Sequence, residues 1–142
     1  MDYSNDWLKQ QVIDEHQPEF VFFWRHHPNK NGAIGKSCLS QWFESSFEYK
    51  GITYLTAEHW MMAEKARLFK DEEILDEILK SYGPHEAKHL GRKVNGFDVE
   101  IWKKHCFKIV CNGNYLKFQQ NDELKDFLHS TKSKILVEAS PY

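Results

Sequence analysis

The sequence predicts a single compact α+β domain, mainly helical, with a small β hairpin or sheet. Three observations carry this expectation. Five stretches after Thr56 repeat apolar residues at helical spacing, each behind a residue suited to start a helix. Only three short segments read as strands. A chain of 142 residues with 41% hydrophobic side chains supplies one core and not two.

Residues 1–18 are polar with scattered apolar positions and read as an N-terminal lead-in or short helix. Phe20-Val21-Phe22-Phe23-Trp24 reads as a buried strand and is the longest apolar run, far too short to span a bilayer. Residues 25–37 form a polar loop with Pro28, Gly32 and Gly35. Phe47 to Tyr54 alternates around Lys50-Gly51, a hairpin pattern. Thr56 can cap a helix from Ala57 to about Phe69, with Glu58 in the first turn where the helix dipole favours a carboxylate. Asp71 can cap a second helix with Ile74, Leu75, Ile78 and Leu79 as its apolar stripe. Gly83 breaks that helix, and Pro84 suits the first turn of a third, ending near Gly91. Asp98 can cap a longer helix to about Phe118, and Asn121 one through Leu124, Phe127 and Leu128. Ile135-Leu136-Val137 closes the pattern as a short strand or last buried segment.

Composition narrows the function classes. A net charge of -2 gives no basic stripe for gripping a nucleic-acid backbone; basic residues cluster only at 88–93 and 103–105. The three cysteines include no CxxC pair, which predicts free thiols. The acidic, polar N-terminus is no secretory signal, and the expected location is cytoplasmic, with no membrane partner. Gly32 to Ser37 ends like a phosphate-binding loop, but Lys30 stands where the cradle needs a glycine. His85 and His89 are one helical turn apart, yet no third ligand sits at a convincing spacing. Neither a metal nor a cofactor is expected.

The segment Thr56 to Phe69 is the strongest candidate for chemistry. On a helix, Glu58, Met61, Met62 and Lys65 share one side. A carboxyl against Met and Trp side chains is partly desolvated, and desolvation makes it a better proton donor. Lys65 could anchor an anion or act as an amine nucleophile. The alternative is that Glu58 only neutralises first-turn amides while Lys65 reaches solvent. Lys88 and Arg92, one turn apart beside Gly91, can hold a phosphate or merely form a solvated basic face. Asn112-Gly113-Asn114 interrupts a strong helix pattern with Lys117 following, and Gln119-Gln120-Asn121 and Glu138 supply further polar groups as caps or pocket donors.

These blocks carry a resemblance. Glu58-His59-Trp60-Met61-Met62-Ala63-Glu64-Lys65-Ala66, then Phe69-Lys70-Asp71, Ala87-Lys88-His89-Leu90-Gly91-Arg92, Trp102, Lys117-Phe118-Gln119-Gln120-Asn121 and Leu136-Val137-Glu138-Ala139-Ser140-Pro141 occur in the order of the NADAR domain family, the YbiA-like N-glycosidases. The resemblance covers residues 19–142 as one domain. It implies a mainly helical α+β fold and cleavage of an N-glycosidic bond to ribose. The implied partner is a small-molecule phosphoribosyl substrate (phosphoribosylamino-pyrimidine intermediates of riboflavin synthesis) or an ADP-ribosyl one, including an ADP-ribosylated nucleic-acid base. Position by position, it implies Glu58 and Lys65 as catalytic groups. Glu58 would be general acid/base or charge stabiliser; Lys65 could open the sugar through an imine. It implies Arg92, with Lys88, on the phosphate and Trp102 or Trp60 stacked on the base or ribose. Asn121 and Glu138 match further polar positions of the family pattern. Two departures stand out. The family pattern runs on after Ser-Pro into an acidic residue and a Trp-Gly pair, whereas this sequence stops at Tyr142. Leu39-Ser40-Gln41-Trp42-Phe43 replaces a Phe-Ser-Asn-Phe type motif. A module that binds ADP-ribose or NAD without turnover is therefore the alternative reading.

Overall fold

The computed structural model describes residues 4–13 and 18–140. In chain order the elements are α1 (Asn5–Ile13), β1 (Phe20–Phe23), a 3-10 turn (Lys36–Leu39), β2 (Phe47–Tyr49), β3 (Ile52–Tyr54), α2 (Ala57–Leu68), α3 (Glu72–Lys80), α4 (Pro84–Gly91), α5 (Val99–Gln120), α6 (Asp122–Ser130) and β4 (Ile135–Glu138). This is the expected α+β class with helices in the majority. Of the polar N-terminal stretch, α1 is helical and buries no side chain, while residues 1–3 and 14–17 lie outside the described residues.

Two small sheets flank the helices. β2 and β3 form the antiparallel hairpin, with Phe47 opposite Tyr54 and Tyr49 opposite Ile52. Lys50 and Gly51 both take positive φ, 51° and 76°, as a tight two-residue connection requires. β1 pairs in parallel with β4, Phe20 opposite Ile135 and Phe23 opposite Glu138. This pairing corrects the reading of β1 as a buried strand. A two-stranded sheet covered on one side leaves Phe22 51% exposed and the other three residues only half-buried.

α2 is the central helix and packs against α3, α4 and α5. Its sequence explains why. Ala57, Ala63 and Ala66 are buried and small, so neighbouring helices approach closely, while Trp60 and Met62 fill the space between. The partners make room in return. A Cβ on Gly91 would lie 2.1 Å from Met62 Sδ, and one on Gly113 would lie 2.4 Å from Trp60 Cδ1. The glycine that interrupts the α5 pattern is thus the crossing point of α5 over α2. The main core joins Phe47, Tyr54, Trp60, Ile74, Leu75, Ile78, Leu90 and Val94. A second cluster joins Cys38, Leu39, Phe43 and Leu124 beneath the 3-10 turn.

The caps at Thr56, Asp71 and Asp98 form as the sequence predicts: each side chain accepts a first-turn backbone N–H. Asn121 does not. It joins α5 to α6, and its side-chain amide donates to the Lys117 and Ser46 carbonyls instead of accepting from α6. Among the described residues no helix is long and apolar enough to cross a membrane.

Thr56 and His59 lock the start of α2. His59 is buried; its Nε2–H donates to the Ser81 carbonyl at 3.3 Å, and the Thr56 hydroxyl lies 2.8 Å from Nδ1. A carbonyl can only accept, so the proton sits on Nε2, and the Thr56 hydroxyl donates to Nδ1 while accepting the His59 backbone N–H. Burial holds the His59 pKa below the usual 6.5. The unfolded chain then binds the proton more readily than the native one, so stability is fully present above pH 6.5 and is lost as pH falls through the folded pKa. In thermal melts from pH 7.5 to 5, His59 is expected to contribute a progressive loss of stability as the pH falls. His59→Gln should shrink that pH dependence; an unchanged slope in the variant would exclude His59 as its source.

Candidate functional site

A cavity of about 650 Å³ opens where the loop after β1, the segment following the 3-10 turn, α2, α4 and the end of β4 converge. Its walls carry Glu58 and Met61 from α2, Lys88 from α4, Glu138 from β4, Ser40, Gln41 and Trp42, and Trp24 to His27.

Glu58 is the chemical centre of this arrangement. It is 2% exposed, and its Oε1 is buried with no hydrogen-bond partner. Its backbone N–H donates to the Gln41 carbonyl at 3.1 Å, which fixes the first turn of α2 against the Ser40–Trp42 wall. Burial pushes the Glu58 pKa above the usual 4.5. Lys88, the Trp42 indole and Arg92 pull the other way, while the negative charge of Glu138 adds to the rise. Desolvation is the largest of these influences, so the carboxyl retains its proton at a pH where an exposed glutamate has lost it.

The wall opposite α2 is held by a buried lysine. Lys117 on α5 is 0% exposed, and its ammonium donates to the Cys38 and Ser40 carbonyls at 2.6 and 2.8 Å. Burial lowers its pKa to about 8. Asn114, one turn earlier, accepts from the Gln41 side-chain amide at 2.9 Å. The wall of the cavity is therefore bonded to α5 at three points. Trp42 projects from it, with His26 edge-on at 5.5 Å, His85 edge-on at 6.1 Å and the Lys88 ammonium 5.4 Å from its ring centre.

The residues singled out in the sequence separate into two groups. Glu58, Lys88 and Glu138 line the cavity, and Arg92 is near enough to act on the Glu58 charge. Lys65, Trp60, Trp102 and Asn121 do not line it. The Lys65 ammonium donates to the Gly91 carbonyl at 2.7 Å and lies 4.1 Å from the Phe97 ring centre and 5.8 Å from that of Trp102. Two helical turns set Lys65 about 10 Å along α2 from Glu58, at the other end of the helix. Trp60 is a core residue: its indole N–H donates to the Ile109 carbonyl at 2.9 Å, and Tyr49, Tyr54 and Phe47 pack around its ring. Asn121 ties α5 to the Ser46 backbone.

The indoles that face the cavity are Trp24 and Trp42. Sequence reasoning missed them, and with them Arg25, His26 and His27, because loop residues carry no periodicity that shows which way they point. The departure at Leu39 to Phe43 was the one available signal for Trp42. Among the described residues no three His, Cys, Asp or Glu side chains gather to hold a metal ion.

Comparison with known proteins adds to this geometry. Residues 22–142 match the family model described as the NADAR domain. An N-glycosidase of Acanthamoeba polyphaga mimivirus is 44% identical over 128 residues, covering 87% of this chain and 74% of that protein. Protein irg-1 of Caenorhabditis elegans is 32% identical over 94 residues, covering 65% of this chain and 44% of that protein. An 8-oxoguanine DNA glycosylase/AP lyase of Picrophilus torridus is 37% identical over 62 residues, 44% of this chain and 30% of that protein. The solved structure of the E. coli protein YbiA superposes with a TM-score of 0.71 at 25% identity, covering 87% of this chain and 68% of that one.

Proposed function

This chain belongs to the NADAR domain family, and from that premise we propose that it is an N-glycosidase that hydrolyses the C1–N bond of a ribosylated substrate. The observation that carries the reading is Glu58: a buried carboxyl with a raised pKa and an unpartnered oxygen, on the wall of an open cavity. The naming of its mimivirus relative as an N-glycosidase supports the same chemistry.

Breaking a C1–N bond leaves positive charge on the ribose and negative charge on the leaving nitrogen. Protonated Glu58 donates its proton to that nitrogen as the bond breaks. Water then adds to C1, and the proton it releases passes to a carboxylate; Glu138 and the newly ionised Glu58 are the two carboxylates on the cavity wall. Negative charge on these groups stabilises the ribosyl cation between the two steps. The products are the free base or amine and a ribose with a C1 hydroxyl. Lys65 has no step here, because its ammonium is engaged by Gly91 and the Phe97 ring. The substrate is a phosphoribosylamino-pyrimidine of the riboflavin route or an ADP-ribosyl conjugate, free or on a nucleic-acid base. Trp42, on the cavity wall beside Glu58, offers a flat face for its ring.

Incubating the protein separately with a phosphoribosylaminopyrimidine and with ADP-ribosylated guanosine tests the reading. Release of ribose 5-phosphate or of ADP-ribose, followed by chromatography, is the expected result for one of the two. Recovery of both substrates intact after prolonged incubation would refute it.

A further inference from the structure

We propose that Arg25, His26 and His27 form the anion subsite of this cavity, which receives the phosphate of a sugar-phosphate ligand. The proposal rests on the reading of Glu58 as the reacting end, and it moves the phosphate away from Lys88 and Arg92.

The backbone supplies the first argument. β1 ends at Phe23, and Arg25 takes a left-handed conformation with φ 68°. That region is costly for a residue with a Cβ and collects at functional sites. In an extended strand consecutive side chains alternate between faces. Here Trp24, Arg25, His26 and His27 all line the same cavity, because the turn at Arg25 breaks the alternation.

Charge supplies the second. Among the described residues Arg25 takes part in no salt bridge. The His26 and His27 rings are 4.2 Å apart, and burial together with the charge of His27 makes His26 harder to protonate. Arg25 thus brings a positive charge with no ion-pair partner among the described residues to the cavity wall, and the two imidazoles beside it can donate N–H to an anion; Glu138, opposite Phe23 in the sheet, is the nearby carboxylate that shares the cavity. Glu44 lines a separate pocket of about 200 Å³ that also touches His26 and His27, and it too forms no salt bridge. By contrast, Lys88 and Arg92 already act on the Glu58 carboxyl, so they serve the reacting end.

Rigidity supplies the third. The Arg25 guanidinium lies 5.2 Å from the ring centre of Trp24, and His26 is braced by Trp42. A guanidinium held on an indole face keeps its planar set of donors free for phosphate oxygens. A sugar phosphate spanning the cavity would then place its phosphate at Arg25 and its C1 toward Glu58.

Calorimetric titration with ribose 5-phosphate and with ribose, on the wild type and on Arg25→Met, Arg25→Lys and Arg92→Met, tests this. Arg25→Met is expected to weaken ribose 5-phosphate binding about 10- to 100-fold, the range of a lost charge-assisted contact, and to leave ribose binding alone. Arg25→Lys should recover part of the loss, which separates lost charge from lost folding. Arg92→Met should lose less than Arg25→Met. A larger loss in Arg92→Met, equal weakening of both ligands in Arg25→Met, or no ribose 5-phosphate binding by the wild type would each overturn the subsite. If ribose 5-phosphate binds through Arg25 but no ribosylated substrate is cleaved, the subsite stands and the glycosidase reading falls.

Discussion

Glu58→Gln is expected to abolish turnover and to make the protein more stable at the same time. Removing a general acid costs about 10² to 10⁴ in rate, and glutamine has no proton to give. The stability gain has a separate cause. The native state holds the Glu58 proton more tightly than the unfolded chain does, because burial penalises the carboxylate. The carboxyl therefore contributes its stability at low pH, and that contribution is lost as pH rises from 4.5 through the raised folded pKa. A neutral amide carries no such penalty at any pH. Near pH 8 the variant should melt a few degrees higher, on the order of 1 kcal/mol for a domain of this size. The difference should close as pH falls toward 4.5. Melting curves across this pH range, set beside the hydrolysis assay, check both halves. A variant less stable than the wild type at pH 8 would show that Glu58 is a structural carboxylate.

The second large effect is expected at Trp60. Replacing it by alanine removes the ring at the crossing of α2 with α5 and the indole hydrogen bond to the Ile109 carbonyl. Large core truncations of this kind cost about 3 to 5 kcal/mol, a large share of the stability of a domain this size. Urea unfolding should show a midpoint shifted far down, or no folded baseline. Trp60→Phe keeps most of the ring and should leave affinity for ribose 5-phosphate unchanged, since Trp60 does not line the cavity. Loss of affinity in a folded Trp60→Phe protein would restore the ring-stacking role that the family resemblance suggested.

The contrast between Glu58 and Trp60 marks what the sequence reveals and what it hides. Helices were legible because caps and periodicity are local: Thr56, Asp71 and Asp98 announce the starts of α2, α3 and α5. Glu58 was legible because a first-turn carboxylate among Met and Trp side chains is itself a local pattern. The pairing of β1 with β4 was not, because it joins Phe20 to Ile135 with nearly the whole chain between them. Lys65 and Trp60 illustrate a subtler limit. Helical spacing shows that residues share a side of α2, yet a side two turns long meets different neighbours at each end. Glu58 meets the cavity, and Lys65 meets Gly91, Phe97 and Trp102. The cavity-facing positions of Trp24, Arg25 and Trp42 depend on loop trajectories that only the folded backbone defines.

The buried Lys117 has a consequence for the order of events during folding. Its two acceptors, the Cys38 and Ser40 carbonyls, lie 79 and 77 residues earlier in the chain. Closing a loop of that length carries an entropic cost that must be met before its contacts can repay it. Until α5 docks, the segment from Cys38 to Trp42 is held to α2 through the Gln41 carbonyl, but it lacks the three bonds to Lys117 and Asn114 that fix it as a wall facing Glu58. A nascent chain that has not yet reached Lys117 can form α2, but it has no enclosed cavity in which to use it.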